Sequence, residues 1–379
     1  MTKYTCLNPI AKVGLDVFSD QYEAVESLAD ANVALVRSAA MHDLDLPDSL
    51  VAVARAGAGV NNIPLPKCAD KGIVVFNTPG ANANGVKELA MAGLLLASRN
   101  IVGGCAWVQH NADDENLSKS VEKGKKAFAG SEIMGKKLGV IGLGAIGVLV
   151  ANAANALGME VYGYDPFLSA KAAWNVNGDV TFVTDVEDLY GMCDYLTIHV
   201  PLLDSTKGMI NKDSIAKMKD GVKFLNFSRD TLVNDADMLE ALESGKVGCY
   251  VTDFPNPAIV KGKNVVAIPH LGASTAESED NCAIMAAKEI RDYVENGNIV
   301  NSVNYPAVSL GAKGTDRVAV LYKGADSLQA AVEGILGGSI VKIADGKRGE
   351  YGYCLAEVSS PADVSALEAL DGVIKVRTI

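Results

Sequence analysis

Apolar runs separated by helical or polar stretches set the rhythm of residues 1–90. Val33 to Arg37, Leu50 to Ala54 and Ile73 to Phe76 predict buried strands. Apolar runs of this length, alternating with helical patterns, predict a parallel sheet with helices on both faces. Asn77-Thr78-Pro79-Gly80 then breaks the chain, and a long helix is predicted from about Val86 to His110. A second α/β series starts at Lys137. Its predicted strands are Leu138 to Ile141, Glu160 to Tyr164, Tyr195 to His199, Phe224 to Asn226, Gly248 to Thr252 and Val265 to Ile268. A helix from about Ala276 to Glu295 leads to the loop signal Asn296-Gly297-Asn298. Beyond Tyr305-Pro306 the pattern changes. Val318 to Tyr322, Ser339 to Ile343, Tyr351 to Val358 and Val373 to Arg377 predict strands, and Leu328 to Leu336 and Ala362 to Leu370 predict helices. This βαββαβ order is the ferredoxin-like arrangement. The fold expected is α/β, with two doubly wound parallel-sheet (Rossmann-like) lobes and a C-terminal ferredoxin-like α+β domain.

Composition changes this picture little. The 379 residues suggest two or three domains at ~150 residues each. The chain is 49% hydrophobic and 21% charged, an ordinary balance for a packed core. Its formal net charge of −12 argues against nucleic acid or an anionic membrane surface as a partner, while leaving a few local arginines free to hold an anionic small molecule. The seven cysteines are scattered without a CxxC pair, which predicts reduced thiols in a cytoplasmic protein and no metal site. The N-terminus, Met1 to Asn8, has no signal-peptide pattern, and the apolar run Leu89 to Ala97 is shorter than the about 20 residues a bilayer needs.

Candidate chemistry begins after the predicted strand Leu138 to Ile141, at Gly142-Leu143-Gly144-Ala145-Ile146-Gly147. The first Gly permits a tight turn, the second admits a pyrophosphate close to the backbone, and the third lets helix and strand pack. The helix N-terminus at Ala145 and Ile146 offers unpaired N–H groups to the anion. Asp165 ends the next strand, where a carboxylate accepts from ribose hydroxyls and repels a 2′-phosphate. NAD is the cofactor expected. Asp165-Pro166 read alone is only a turn.

Later strand ends carry Arg229, Asp253 and His270. Oxidising an alcohol requires a base for the hydroxyl proton and a cation for the substrate's carboxylate and carbonyl, and this trio supplies both. Of the four histidines, His42 and His110 read as structural, and His199 as structural or near the adenine.

With these residues the chain resembles the D-2-hydroxyacid dehydrogenases. The resemblance rests on Gly142 to Gly147, His199-Val200-Pro201, Asn226-Phe227-Ser228-Arg229 and Pro269-His270-Leu271-Gly272-Ala273-Ser274-Thr275. Arg55-Ala56-Gly57-Ala58-Gly59-Val60-Asn61-Asn62 looks like the family's substrate loop and Asn77 to Gly80 like a second loop. Asn304-Tyr305-Pro306, with the tail ending Gly372 to Arg377, resembles the D-3-phosphoglycerate dehydrogenase branch with a regulatory ACT domain. The resemblance implies His270 as general acid/base, Arg229 as substrate clamp and Asp253 facing the nicotinamide. It implies that backbone N–H groups from Gly57 through Ala58 and Gly59 to Val60 hold the substrate carboxylate, with Arg55 on a phosphate. His199, Val200, Pro201, Phe227, Ser228 and Gly272 would line the cofactor. The domains implied are 1–95 with 292–310 for substrate, 96–291 for NAD and an ACT-like 311–379, in a homodimer or homotetramer.

Three departures stand out. The family orients its His with a Glu a few residues beyond the Asp, yet this chain has no acid between Phe254 and Pro269. Either Asp253 also orients His270 or the pair lacks its carboxylate. Asp230 stands where the family has Gly. Serine-binding ACT domains carry Asn-x-Pro-Gly after their first strand, where this chain reads Lys323-Gly324-Ala325-Asp326-Ser327.

Overall fold

The apolar runs of the N-terminal region pair in parallel. In the computed structural model, which describes residues 1–360 and 363–379, they form β1 (Thr2–Cys6), β2 (Tyr22–Ala24), β3 (Val33–Val36), β4 (Ala52–Arg55) and β5 (Val74–Asn77). Their order in the sheet is β2-β1-β3-β4-β5. The apolar pattern gives no sign of β1 or β2, which carry polar residues and few buried ones. β3 to β5 are buried on both sides, as continuous apolar strands of a parallel sheet must be. One face meets Ala286, Ile290 and Tyr293 of the helix Ala276–Asn296, and the other meets Met41, Leu46, Leu50 and Cys68.

Met1–Asn82 and Ala276–Ile379 form one compact unit. Its C-terminal part contains β13 (Arg317–Lys323), β14 (Ile340–Arg348), β15 (Tyr351–Val358) and β16 (Val373–Thr378), antiparallel in the order β14-β15-β13-β16. This small sheet does not stand apart. Ala319, Leu321, Tyr353 and Leu355 join the same core as Val33, Leu35, Phe76 and Tyr293, while Val318, Val320, Cys354 and Ala356 face Val332, Leu336 and Leu367. Arg317, fully buried, ties the connecting segment down. It pairs with Glu357 at 2.6 Å and donates to the carbonyls of Asn296, Gly311 and Ala312 at 2.7, 2.9 and 3.0 Å. The expected helix Ala362 to Leu370 starts outside the described residues, and its described part is Ser365–Glu368.

The second unit, Ala83–Thr275, holds β6 (Lys137–Ile141), β7 (Glu160–Tyr164), β8 (Thr181–Phe182), β9 (Tyr195–Ile198), β10 (Val222–Asn226), β11 (Val247–Thr252) and β12 (Val265–Ala267). The strands are all parallel, in the order β12-β11-β10-β9-β6-β7-β8. The order reverses between β6 and β9, and such a switch point opens a crevice at the carboxyl ends of the strands. The expected helix from Val86 to His110 is instead two helices, Ala83–Ser98 and Ile101–His110, bent by 69°. Asn100 sets the break, because its side chain accepts from Gly103 N at 3.0 Å and so caps the second helix. Among the described residues no single helix is long and apolar enough to cross a membrane.

Candidate active site

The glycine turn follows directly from strand β6. Gly142 has φ 93°, a left-handed conformation that glycine adopts without penalty, and its N–H donates to Tyr164 O at 2.8 Å. A Cβ there would lie 2.7 Å from His199 O, and one at Gly147 would lie 1.8 Å from Gly142 O. Both positions therefore need glycine for close backbone packing. Gly144 is different: nothing lies within 4 Å of where its Cβ would be. It precedes the helix Ala145–Ala156, whose start has no side-chain cap, so Ala145 and Ile146 present an open helix N-terminus. Asp165 stands beside this turn, accepting from Leu143 N at 2.9 Å and Phe167 N at 2.8 Å.

His199 follows β9. Its N–H donates to Ile141 O at 2.7 Å and its Nε2 pairs with Thr197 Oγ1 at 2.9 Å. Nδ1 is buried and unpartnered, and burial pushes the imidazole down to about 4. The ring is neutral at physiological pH. Val200 is half-buried and Pro201 exposed.

Beyond β10, buried Asn226 shapes the next turn. Its Nδ2 donates to Arg229 O at 2.8 Å and its Oδ1 accepts from Ser228 N at 3.1 Å. Ser228 Oγ donates to Ile198 O at 2.8 Å. The Phe227 side chain is core, packed where a Cβ on Gly93 would approach it to 2.8 Å, so only its backbone is open to a ligand. Arg229 is half-buried and donates to Ser228 O at 2.6 Å. Asp230 accepts from Thr231 N at 2.8 Å and opens a short 3₁₀ turn, which gives this departure a local structural role.

Asp253 is 1% exposed, and its Oδ1 has no partner. Burial raises its carboxyl above the ordinary value, against the opposing pull of His270, the N–H groups of Asp253 and Gly272, and Arg229. A Cβ on Gly272 would press on Val86 Cγ2 at 3.2 Å and meet Asp253 Oδ2 at an ordinary contact distance of 3.6 Å. His270 is exposed, and its ring meets Phe254 edge-on with centroids 4.9 Å apart at 67°. Among the described residues no hydrogen bond reaches that ring. Asn256 is committed elsewhere: it donates to Asp235 at 2.7 Å and accepts from Ala258 N and Ile259 N. Arg229, Asp253 and His270 are thus electrostatic neighbours in one unit.

The loop from Arg55 to Val60 belongs to the other unit. Arg55 Nε donates to Arg37 O at 3.0 Å, and the guanidinium lies over Gly57, where a Cβ would come within 2.5 Å of Nη1. The second loop braces the first: Asn77 Nδ2 donates to Ala58 O at 2.6 Å and Thr78 N to Gly57 O at 3.1 Å. These bonds occupy carbonyls. Among the described residues the N–H groups of Ala58, Gly59 and Val60 donate to no backbone carbonyl.

Comparison with known proteins places this geometry. Residues 91–272 match the NAD-binding domain of the D-isomer specific 2-hydroxyacid dehydrogenases. A hydroxypyruvate reductase of Thermotoga maritima is 40% identical over 294 residues, covering 74% of this chain and 91% of that protein. The chain belongs to the D-isomer specific 2-hydroxyacid dehydrogenase family. Another dehydrogenase of the family, the D-3-phosphoglycerate dehydrogenase of Methanocaldococcus jannaschii, is 34% identical over 318 residues; the match covers 80% of this chain and only 58% of that protein. The NAD+-bound 3-phosphoglycerate dehydrogenase of Entamoeba histolytica superposes with a TM-score of 0.63 at 26% identity, over 80% of this chain and 98% of that one.

The residues of this chain fit NAD. The open helix N-terminus behind Gly144 suits a pyrophosphate, Asp165 suits a ribose, and the orphaned Asp253 Oδ1 suits an amide donor. Reading the sequence alone passes over three residues that shape the site. Asn226 is visible as part of a motif but without a task, Val86 packs against Gly272, and Phe254 looks like loop because Pro255 follows it.

Proposed function

We propose that the protein oxidises 3-phospho-D-glycerate to 3-phosphohydroxypyruvate, the entry step of serine biosynthesis. The observation that carries this reading is the Arg55 guanidinium folded over Gly57, beside a loop in which the N–H groups of Ala58, Gly59 and Val60 donate to no backbone carbonyl among the described residues. Backbone N–H groups of Ala58, Gly59 and Val60 hold the carboxylate, the expected donor at Gly57 being taken by Arg55 O at 2.8 Å, and Arg55 adds a cation for a second anion. Arg229 clamps the carboxylate and the C2 oxygen. His270 takes the hydroxyl proton at a ring nitrogen, and buried Asp253 supplies the counter-charge as the imidazolium forms. NAD supplies the acceptor for the C2 hydride. Gly142, Gly144, Ala145, Ile146 and Gly147 hold its pyrophosphate, and Asp165 its ribose. His199, Val200, Pro201, the Phe227 backbone, Ser228 and Gly272 line its remaining length.

A second reading is a hydroxypyruvate reductase, favoured by 91% coverage of the Thermotoga maritima protein. The two differ in the phosphate alone. NADH absorbance with 3-phospho-D-glycerate, D-glycerate, 3-phosphohydroxypyruvate and hydroxypyruvate separates them. Equal efficiency with and without phosphate would remove the first reading.

The β13–β16 region is proposed as an ACT-like domain, with the protein a cytoplasmic homodimer or homotetramer. Its first turn is already filled. Asp345 accepts from Ser327 Oγ, from Leu328 N at 3.2 Å and from Tyr322 OH at 2.8 Å. L-Serine is therefore expected to inhibit weakly or not at all, as initial rates against L-serine would show.

A further inference from the structure

A catalytic imidazole is ordinarily oriented by a hydrogen bond to its second nitrogen, which fixes tautomer and ring direction. His270 has no such bond among the described residues. What it has is Phe254, edge-on at 4.9 Å and 67°. That geometry is the favoured one for two aromatic rings, because the positive ring edge meets the negative face.

Three observations separate this contact from ordinary packing. Phe254 joins none of the apolar cores of the described residues, although it is a large half-buried hydrophobe. Its backbone is fixed on both sides. Its N–H donates to Thr252 Oγ1 at 3.1 Å, and the following Pro255 restricts it to extended conformations. It also directly follows Asp253, the buried carboxyl on which the charge of His270 acts. One strand end thus delivers counter-charge and ring contact in consecutive residues.

We propose that Phe254 is the positioning residue for His270, doing by an aromatic edge what a hydrogen-bonded carboxylate does elsewhere. Asp253 supplies the charge and Phe254 the direction, so the two duties of a dyad carboxylate are divided between neighbours. The inference rests on the reading of His270 as the base.

The test uses the full chain with selectively labelled histidines. In Phe254→Leu, kcat for hydroxyacid oxidation should fall about two- to tenfold, the range an aromatic pair commands. KM for NAD should stay unchanged. The His270 ring protons, identified by their loss in His270→Ala, should lose their ring-current shift. Phe254→Tyr keeps the ring and should restore both kcat and shift. Normal kcat in Phe254→Leu, with an active unaltered chain, overturns the proposal while sparing the function. A raised KM for NAD at constant kcat also overturns it, by making Phe254 a cofactor contact. If the unaltered chain turns over no hydroxyacid, the functional reading fails first and the proposal falls with it.

Discussion

At the carboxyl ends of β6, β9 and β11, polar groups are left over. The helix start behind Gly144 is uncapped, and His199 Nδ1 and Asp253 Oδ1 are buried without partners. At the ends of β4 and β5, in the other parallel sheet, many such groups satisfy one another. Asn77 bonds Ala58 O, Thr78 bonds Gly57 O, and Arg55 bonds Arg37 O. Thr78 Oγ1, one residue past β5, is the exception at those strand ends among the described residues, while the leftover atoms of Glu289, Tyr293 and Arg377 lie away from them, on the helix Ala276–Asn296 and strand β16. Two doubly wound sheets therefore spend unsatisfied polarity differently. Where orphans gather at strand ends, they fit a ligand that will complete them. Where they sit between helix and sheet, they make the fold sensitive to solvent and pH.

The comparison breaks most visibly at His270. His270→Ala should lower turnover by about 10²–10⁴-fold, the usual contribution of a positioned acid–base group, while NAD affinity stays near its original value. Stopped-flow NADH formation beside a fluorescence titration of NADH separates the two. Near-normal turnover would mean that the strand-end orphans of this unit serve binding alone.

Gly147 tests the cradle itself. Its Cβ would sit 1.8 Å from Gly142 O, a backbone atom with no freedom to rotate away. Gly147→Ala should cost at least about 3 kcal/mol of stability or force the helix off the strand, at the upper end for overpacking. Tm should fall and NAD affinity with it. Gly144→Ala meets open space and is the control, with little change in Tm.

What was legible in the sequence follows from range. β3 to β5, β6 and β9 to β11 are readable because burial on both faces writes itself as runs of apolar residues. β8, two exposed residues long, writes nothing. The break at Asn100 is not legible in the sequence, because apolar periodicity runs across it while a single side-chain hydrogen bond starts a new helix. The order Arg229, Asp253, His270 was legible because each closes a strand. The Phe254 contact and Asp345's place in the turn after β13 were not, since both are tertiary contacts whose partners lie 16 or more residues apart in the chain. The sharing of one core by the small sheet and the N-terminal sheet has a sign in the sequence: β13 is apolar at successive positions, and a sheet covered on one face alone would alternate.

Arg55 sharpens the contrast by substrate. Arg55→Ala should weaken 3-phospho-D-glycerate by about tenfold or more relative to D-glycerate, the scale of one charge-assisted pair. Only the phosphorylated substrate has a second anion to lose. Parallel loss in kcat/KM for both would move Arg55 to the shared carboxylate.

The smallest effect is expected from Glu289, an orphan of the other kind. Its Oε1 accepts from Asn301 Nδ2 at 2.6 Å, Oε2 has no partner, and burial pushes the carboxyl up to about 8 from 4.5. The folded chain therefore keeps this proton to higher pH than the unfolded chain does. Below about 4.5 both states hold it and nothing is lost. Between about 4.5 and 8 the unfolded chain has released it, so each rise in pH favours unfolding, by at most ~1.4 kcal/mol per unit. Structural relaxation and water entry reduce that slope, leaving on the order of 1 kcal/mol across the neutral range. Glu289→Gln keeps the shape and removes the proton. Its urea midpoint should match the unaltered chain near pH 5 and exceed it near pH 8. A gap of constant size from pH 5 to 8 would mean that Glu289 ionises as an ordinary surface acid, and the contrast between strand-end and interior orphans would lose its pH signature.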